Sequence, residues 1–155
     1  MARYSTNTSL AGSPQAMGAT YKTLIALTAA TATLTNGKIY DALFGTNGTP
    51  ADNAMEYDIS RQTAAGTATA AVPVPLDPGN RAAGTVGAVN ATVEGTITAA
   101  SSALYIGVNQ RASYRWVAAP GSELIIPATN VAGFAFRARS PAYTGTATCT
   151  LMHEE

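Results

Sequence analysis

A chain of 155 residues is the length of one domain and is long enough to bury a core without metals or disulfides. Only 12% of it is charged, with nine basic and nine acidic residues, so it lacks the clustered positive charge that nucleic acid or an anionic membrane surface would need. The single Cys149 excludes an intrachain disulfide and a multi-cysteine metal site, and the single His153 makes a His-based triad or zinc site hard to build.

Alanine and threonine dominate, with 32 and 22 residues. Alanine alone favours helix, but here it is interleaved with Thr, Val, Gly and Pro, which favour strands and turns. Residues 1–19 show no alternation and few large apolar side chains. They lack the apolar stretch of a secretory signal and are expected as an extended arm, frayed or laid on a neighbour, with Tyr4, Leu10 and Met17 able to fill small pockets on a partner. Residues 20–155 are expected to form the folded domain.

Period-two patterning then recurs along the chain. In Tyr21 to Thr28, one face carries Tyr21, Thr23, Ile25 and Leu27. The longer run Thr23 to Leu34 is too short and too Thr-rich to cross a bilayer. Asn36-Gly37 suits a two-residue hairpin turn. Residues 44–53 read as a loop. Met55, Tyr57 and Ile59 then oppose Glu56, Asp58 and Ser60, a pair of carboxylates expected on a solvated strand edge. A second loop covers 72–84. Residues 91–98 alternate again, and Leu104 and Ile106 belong to the next apolar run. Pro120-Gly121 joins 114–119 to 123–128. Phe134, Phe136 and Ala138 oppose Ala135, Arg137 and Arg139, and residues 144–153 alternate Thr with Ala, Cys or Leu. Nine or ten strands at this spacing predict an all-β, antiparallel two-sheet sandwich, with a jelly roll as the first choice. The expected anchors are Leu24, Ile25, Leu27, Ile59, Ile97, Leu104, Ile106, Trp116, Ile125 and Phe134.

Chemistry-bearing patterns are sparse. No carboxylate spacing demands an acid/base pair, the glycine pairs lack the Lys and helix of a phosphate loop, and the Asp/Asn turns lack the ligand alternation of a calcium loop. No catalytic, metal-binding or cofactor-binding residue is therefore expected, and the chain reads as non-enzymatic. Cys149 is expected as a small packed hydrophobe, with an interchain contact as the lesser alternative, and His153 as an exposed tail residue. Arg111, Tyr114, Arg115 and Trp116 bring together the residue types that dominate interfaces, so they are candidate partner contacts; the alternative is ion pairing to Glu94 or Glu123 within the chain.

Three phrases, DNAMEYDISRQTAAGTAT, NQRASYRWVAAPGSE and SPAYTGTAT, resemble a family of small structural proteins of tailed bacteriophages and prophages, the head decoration or cement proteins. The likeness spans nearly the whole chain after the first twenty residues. It implies a virion protein made in the host cytoplasm and placed on the outer capsid surface. There it would act as a homo-oligomer, a trimer, that clamps adjacent major capsid proteins, with no cofactor, nucleic acid or membrane as partner. A tail- or fibre-associated module that binds carbohydrate is the alternative.

Overall fold

The computed structural model describes residues 1–11, 14–32 and 37–155, and the side chains of all of these except Leu10 and Ala11. The chain is an antiparallel two-sheet sandwich, as the alternation predicts. In chain order its strands are β1 (Arg3–Asn7), β2 (Gln15–Ala16), β3 (Lys22–Ala29), β4 (Lys38–Asn47), β5 (Ala54–Ala64), β6 (Thr67–Ala71), β7 (Val74–Pro75), β8 (Thr85–Val93), β9 (Thr96–Asn109), β10 (Tyr114–Val117), β11 (Leu124–Ile125), β12 (Gly133–Arg139) and β13 (Thr146–Glu154), with one 3-10 turn at Thr8–Ala11. The first sheet runs β10-β4-β13-β1-β7, with β11 also on β4 and β2 also on β13. The second runs β6-β8-β3-β12-β5-β9.

The pairings nest. β1 pairs with β13, β3 with β12, β4 with β10 and β5 with β9, all antiparallel. The first half of the chain is thus matched to the second half in mirror order, and successive pairs fall in alternate sheets. This is the outcome of winding one long folded-back hairpin around a common core. Residues between β5 and β9 lie at the tip of that hairpin. They extend both sheets, because β8 joins the edge of β3 and β7 joins the edge of β1.

Between the sheets lie the side chains that the period-two pattern sends inward. Tyr57, Phe44 and Phe136 form the centre, with ring centroids 4.8 Å apart for Phe44–Tyr57 and 6.2 Å for Phe44–Phe136. Ile25, Leu27, Ile39, Met55, Ile59, Phe134 and Leu151 are buried around them. Fully burying an aliphatic or aromatic side chain of this size contributes about 1.5–3 kcal/mol. Cys149 sits in the same layer, and burial pushes its thiol pKa up. β12 occupies the predicted 133–139, with Phe134, Phe136 and Ala138 inward.

Several local expectations are revised. The alternation in β3 breaks at Leu24, the extra residue of a β-bulge opposite Phe136/Arg137, so Leu24 and Ile25 are both buried while Thr23 turns to the outer face. Ile125 is 49% exposed, and the neighbouring Ile126 is the buried one. Residues 91–98 are not one strand, because the chain turns at Glu94-Gly95 between β8 and β9. β4 runs on into the expected loop as far as Asn47. The Asn36-Gly37 turn falls on Asn36, which lies outside the described residues.

The described residues among 1–19 do not form an arm reaching out from the domain. β1 is hydrogen-bonded on both sides, to β13 and β7, and Ala2 and Glu155 exchange backbone hydrogen bonds at 3.0 and 2.9 Å. A strand with both edges paired and one face on the core is part of the sheet, whatever its composition. Tyr4 is fully buried, stacked on His153 with centroids 5.2 Å apart, and its hydroxyl donates to the Arg81 carbonyl. Met17 packs in the core.

The second sheet has an unusual outer face. Ala26, Asp58, Ser60, Gln62 and Ala135 point away from the core yet are 6% exposed or less. The cause is the turn between β5 and β6 and the turn between β8 and β9, which carry their paired strands from one edge of this sheet to the other and fold over its face. Only glycine fits at the crossing. A Cβ on Gly66 would stand 2.0 Å from the Val93 carbonyl oxygen, and one on Gly95 would stand 2.6 Å from that of Ala64. A cavity of about 80 Å³ remains under the turns, lined by small side chains, among them Ala26, Ala65, Ala68, Ala88 and Ala91, with Thr23, Thr28 and Gln62. The alanine-rich stretch 64–71 is what allows this close approach.

Candidate interaction surfaces

Three places gather polar or exposed side chains. The first is on the outer face of the second sheet, where the register of β12 against β5 sets Arg137 opposite Asp58 and Arg139 opposite Glu56. Arg137 donates through Nε and Nη2 to Asp58 Oδ2 at 2.9 and 2.5 Å, and Ser60 and Ser102 also donate to that carboxylate. Arg139 donates to Glu56 at 2.6 Å, and the Tyr21 hydroxyl donates to the same oxygen at 3.3 Å. Both guanidinium groups lie over the Tyr21 ring, at 4.7 and 4.8 Å from its centroid. The Arg139 hydrogen bond holds the Glu56 carboxyl below its ordinary range. The expected solvated edge is therefore a closed network. Each carboxylate is paired with an arginine of the neighbouring strand.

The second is a buried cluster where β1, β13 and the chain before β8 meet. Thr85 Oγ1 lies 2.8 Å from His153 Nε2, which is 3.4 Å from Glu155 Oε1. The backbone N–H groups of Gly84 and Thr85 donate to the two Glu155 oxygens at 2.7 and 2.9 Å. Burial would raise the Glu155 carboxyl, but the hydrogen bonds from His153, Gly84 and Thr85 outweigh it and hold the pKa at about 2. His153 is fully buried, not an exposed tail residue, because the alternation of β13 places it inward beside Tyr4. This cluster ties the last strand to the hairpin tip.

The third is the outer face of the first sheet and its β10 edge, which hold most of the candidate contact residues. β10 alternates: Tyr114 and Trp116 turn inward, half-buried against the core, while Arg115 and Val117 turn outward. Arg115 donates from Nε to Asp41 Oδ1 at 3.0 Å and from Nη2 to Oδ2 at 2.5 Å, a two-pronged pair across β10 and β4. Arg111 donates to Asp52 at 3.1 Å beyond the strand. Both arginines pair within the chain, with Asp41 and Asp52 in place of the expected Glu94 or Glu123. Glu94 instead accepts from the Thr23 N–H and hydroxyl.

On the same face lie Val117, Leu43 and Ile125 on the side of Arg115–Asp41 and Val74 at the opposite edge, between 45 and 57% exposed. The register sets them in adjacent rows, Val117–Asp41–Met152–Ser5–Val74 and Arg115–Leu43–Thr150–Asn7. Five strands at about 4.8 Å spacing make a face roughly 19 Å across. No described element packs over it. A shallow depression there is lined by Asp41, Leu43, Arg115, Thr150 and Met152.

Of the predicted contacts, Arg111, Tyr114, Arg115 and Trp116 are brought together at this edge. Tyr4 and Met17 are taken into the chain's own interior, and the side chain of Leu10 lies outside the described residues. Leu43, Val74 and Ile125 were not among the sequence candidates. Only the register of β4 against β10 and β13 shows that they share a face with Arg115. Among the described residues, no group of three or more His, Cys, Asp or Glu side chains is placed to hold a metal ion. No family model matches this chain, and no curated protein or solved structure matches it either.

Proposed function

We propose that this protein is a non-enzymatic structural component of a virion, a decoration protein that binds the outer surface of a capsid and clamps adjacent major capsid proteins, acting as a homotrimer. The observation that carries this reading is the outer face of the first sheet. It carries exposed Leu43, Val117 and Ile125 on the side of the Arg115–Asp41 ion pair and exposed Val74 at the far edge, on a two-sheet body. Exposed apolar side chains grouped on one sheet face mark a place where another protein sits. The class of partner is taken from the phrases that resemble those of phage head decoration proteins. A jelly roll fits the strand order. Counting β1, β3, β4, β5, β9, β10, β12 and β13 as eight strands, the sheets read 1-8-3-6 and 2-7-4-5, the order a wound hairpin has in capsid-type jelly rolls.

A multivalent clamp needs only modest contacts. Copies joined about an axis present several equal faces at once, and each bound face raises the effective concentration of the next. The test is cosedimentation of the purified protein with capsids that lack it, followed by image reconstruction. Density on the outer shell, lost with Leu43→Asp or Val117→Asp, supports the proposal. Absence from heads, or density only on the tail, overturns it.

A further inference from the structure

The cavity under the turns of the second sheet is built around two polar side chains that the chain itself does not engage. Gln62 is 3% exposed and Thr28 is 7% exposed, and both line the cavity. Among the described residues, neither the Gln62 carboxamide nor the Thr28 hydroxyl has a hydrogen-bond partner. Burying an amide without a partner is costly, so a group of this kind is ordinarily satisfied. The register accounts for the space between them. Thr28 and Gln62 both pair with Gly133, one from each side, so no side chain stands between them. The β8–β9 turn lies close over the amide, where a Cβ on Gly95 would come 2.8 Å from Gln62 Oε1.

The remaining walls are apolar. Ala26, Ala88, Ala91 and Val93 form much of them, and no charged side chain lines the cavity. Glu94, next to it in the turn, is taken up by the Thr23 N–H and hydroxyl. An ion entering this space would be buried without a counter-charge, which excludes charged ligands. Ala65, Gly66 and Val93 are exposed and line the outer side, so a ligand enters between the two turns. A volume of about 80 Å³ takes about five to eight water-sized groups.

We infer that this cavity is a binding site for an uncharged primary carboxamide on a short aliphatic stem, a group the size of propanamide. A carboxamide carries a donor and an acceptor side by side, the complement of Nε2 and Oε1 of Gln62, while its stem lies among the alanine methyl groups. A carboxylate of the same shape would set an acceptor against Oε1 and bring in an unpaired charge. An alcohol would satisfy one atom of the Gln62 amide and leave the other. The same chemistry comes from a free small amide or from a glutamine side chain presented by another protein. The inference does not depend on the capsid role, because the cavity lies on the second sheet and the proposed capsid-binding face lies on the first.

The experiment is a titration of isotope-labelled protein with propanamide, read by nuclear magnetic resonance at the Gln62 side-chain NH₂ and the methyl groups of Ala26, Ala88 and Ala91. The expected result is one saturable transition in the millimolar range, shared by all of these signals. Propanoate and propanol are expected to bind about tenfold more weakly or worse, and so is propanamide to Gln62→Leu, which keeps the bulk and removes the amide. Ala68→Leu fills the cavity from β6 and is expected to abolish binding. If these variants fail to fold, the comparison of ligands on the wild type decides alone. Absence of saturation, signals that move only elsewhere in the chain, equal binding of propanol, or equal binding by a folded Gln62→Leu each overturns the inference. A parallel titration with N-acetylglutamine methylamide separates the sources. Tighter binding than propanamide assigns a protein side chain and weaker binding assigns a free amide, and either supports the carboxamide site. Cosedimentation with capsids is scored separately, so failure of this site and failure of the particle role give different results.

Discussion

The buried Glu155 makes the acid limit of stability depend on one identifiable group. Its carboxylate accepts from two backbone N–H groups and lies against His153, and its pKa falls from an ordinary 4.5 to about 2. A depressed folded-state pKa means that the unfolded chain takes up the proton first. The stabilisation is therefore complete above the unfolded value and is lost as pH falls toward the folded one. With 1.36 kcal/mol per pKa unit, the gap is worth about 3 kcal/mol at neutral pH, of which about 2 kcal/mol is gone by pH 3. Glu155→Gln keeps the shape and removes the charge. Urea unfolding of both proteins at pH 7, 5 and 3 should show a difference of about 3 kcal/mol that narrows to about 1 kcal/mol at pH 3. Other carboxylates, Glu56 among them, titrate equally in the two proteins and cancel in the difference. Parallel pH curves for wild type and variant would refute the assignment of this acid sensitivity to Glu155.

Phe136→Ala removes the ring that packs on Phe44 at the centre of the core and should lower stability by about 3–5 kcal/mol in denaturant titration. Arg137→Met strands the buried Asp58 carboxylate and is expected to cost about 3–5 kcal/mol, whereas Arg137→Met combined with Asp58→Asn should recover much of it, as a double-mutant cycle would show. Gly66→Ala sets a methyl group against the Val93 carbonyl and should destabilise by about 1–3 kcal/mol, while Gly107→Ala, with open space around its Cβ, should be near neutral by the same assay. In the native protein, Cys149 should react with a thiol reagent only at the rate of unfolding, because it is buried and its thiol pKa is raised.

Period-two alternation made most strands legible. β12 matches the segment it marks, β13 falls in its segment up to His153, and Met55, Tyr57 and Ile59 face the core as read. What escaped are features set by pairing rather than by local pattern. The bulge at Leu24 depends on β12, and the one-residue slip moves Thr23 and Tyr21 to the outer face while Ile25 and Leu27 stay inward as read. β1 carries a polar run, RYSTN, that reads as an arm, yet it is paired along its length with β13 and at Tyr4 and Ser5 with β7. Burial of the outer face at Asp58 and Gln62 depends on turns between strands at opposite ends of the sheet. His153 looked like a tail residue from its position in the chain, but its place in the alternation of β13 was the better guide.

The arginines show why a cluster in sequence is a weak guide to a surface. Arg111, Arg115, Arg137 and Arg139 read together as a basic, interface-forming group, but the sheets distribute them to separate carboxylates. Arg3 and Arg81 approach Glu154 and Glu155, and Arg61 lies over the Phe134 ring. A chain with equal numbers of acidic and basic residues can still present strong local fields if like charges are grouped. Here the antiparallel register opposes them, and the fields cancel within a few ångströms. The exposed surface away from these pairs, the outer face of the first sheet above all, is therefore largely apolar and hydroxyl-bearing. Contacts through such surfaces depend on shape and buried area, and salt, which screens exposed charges over about 8 Å at physiological strength, has little in them to weaken.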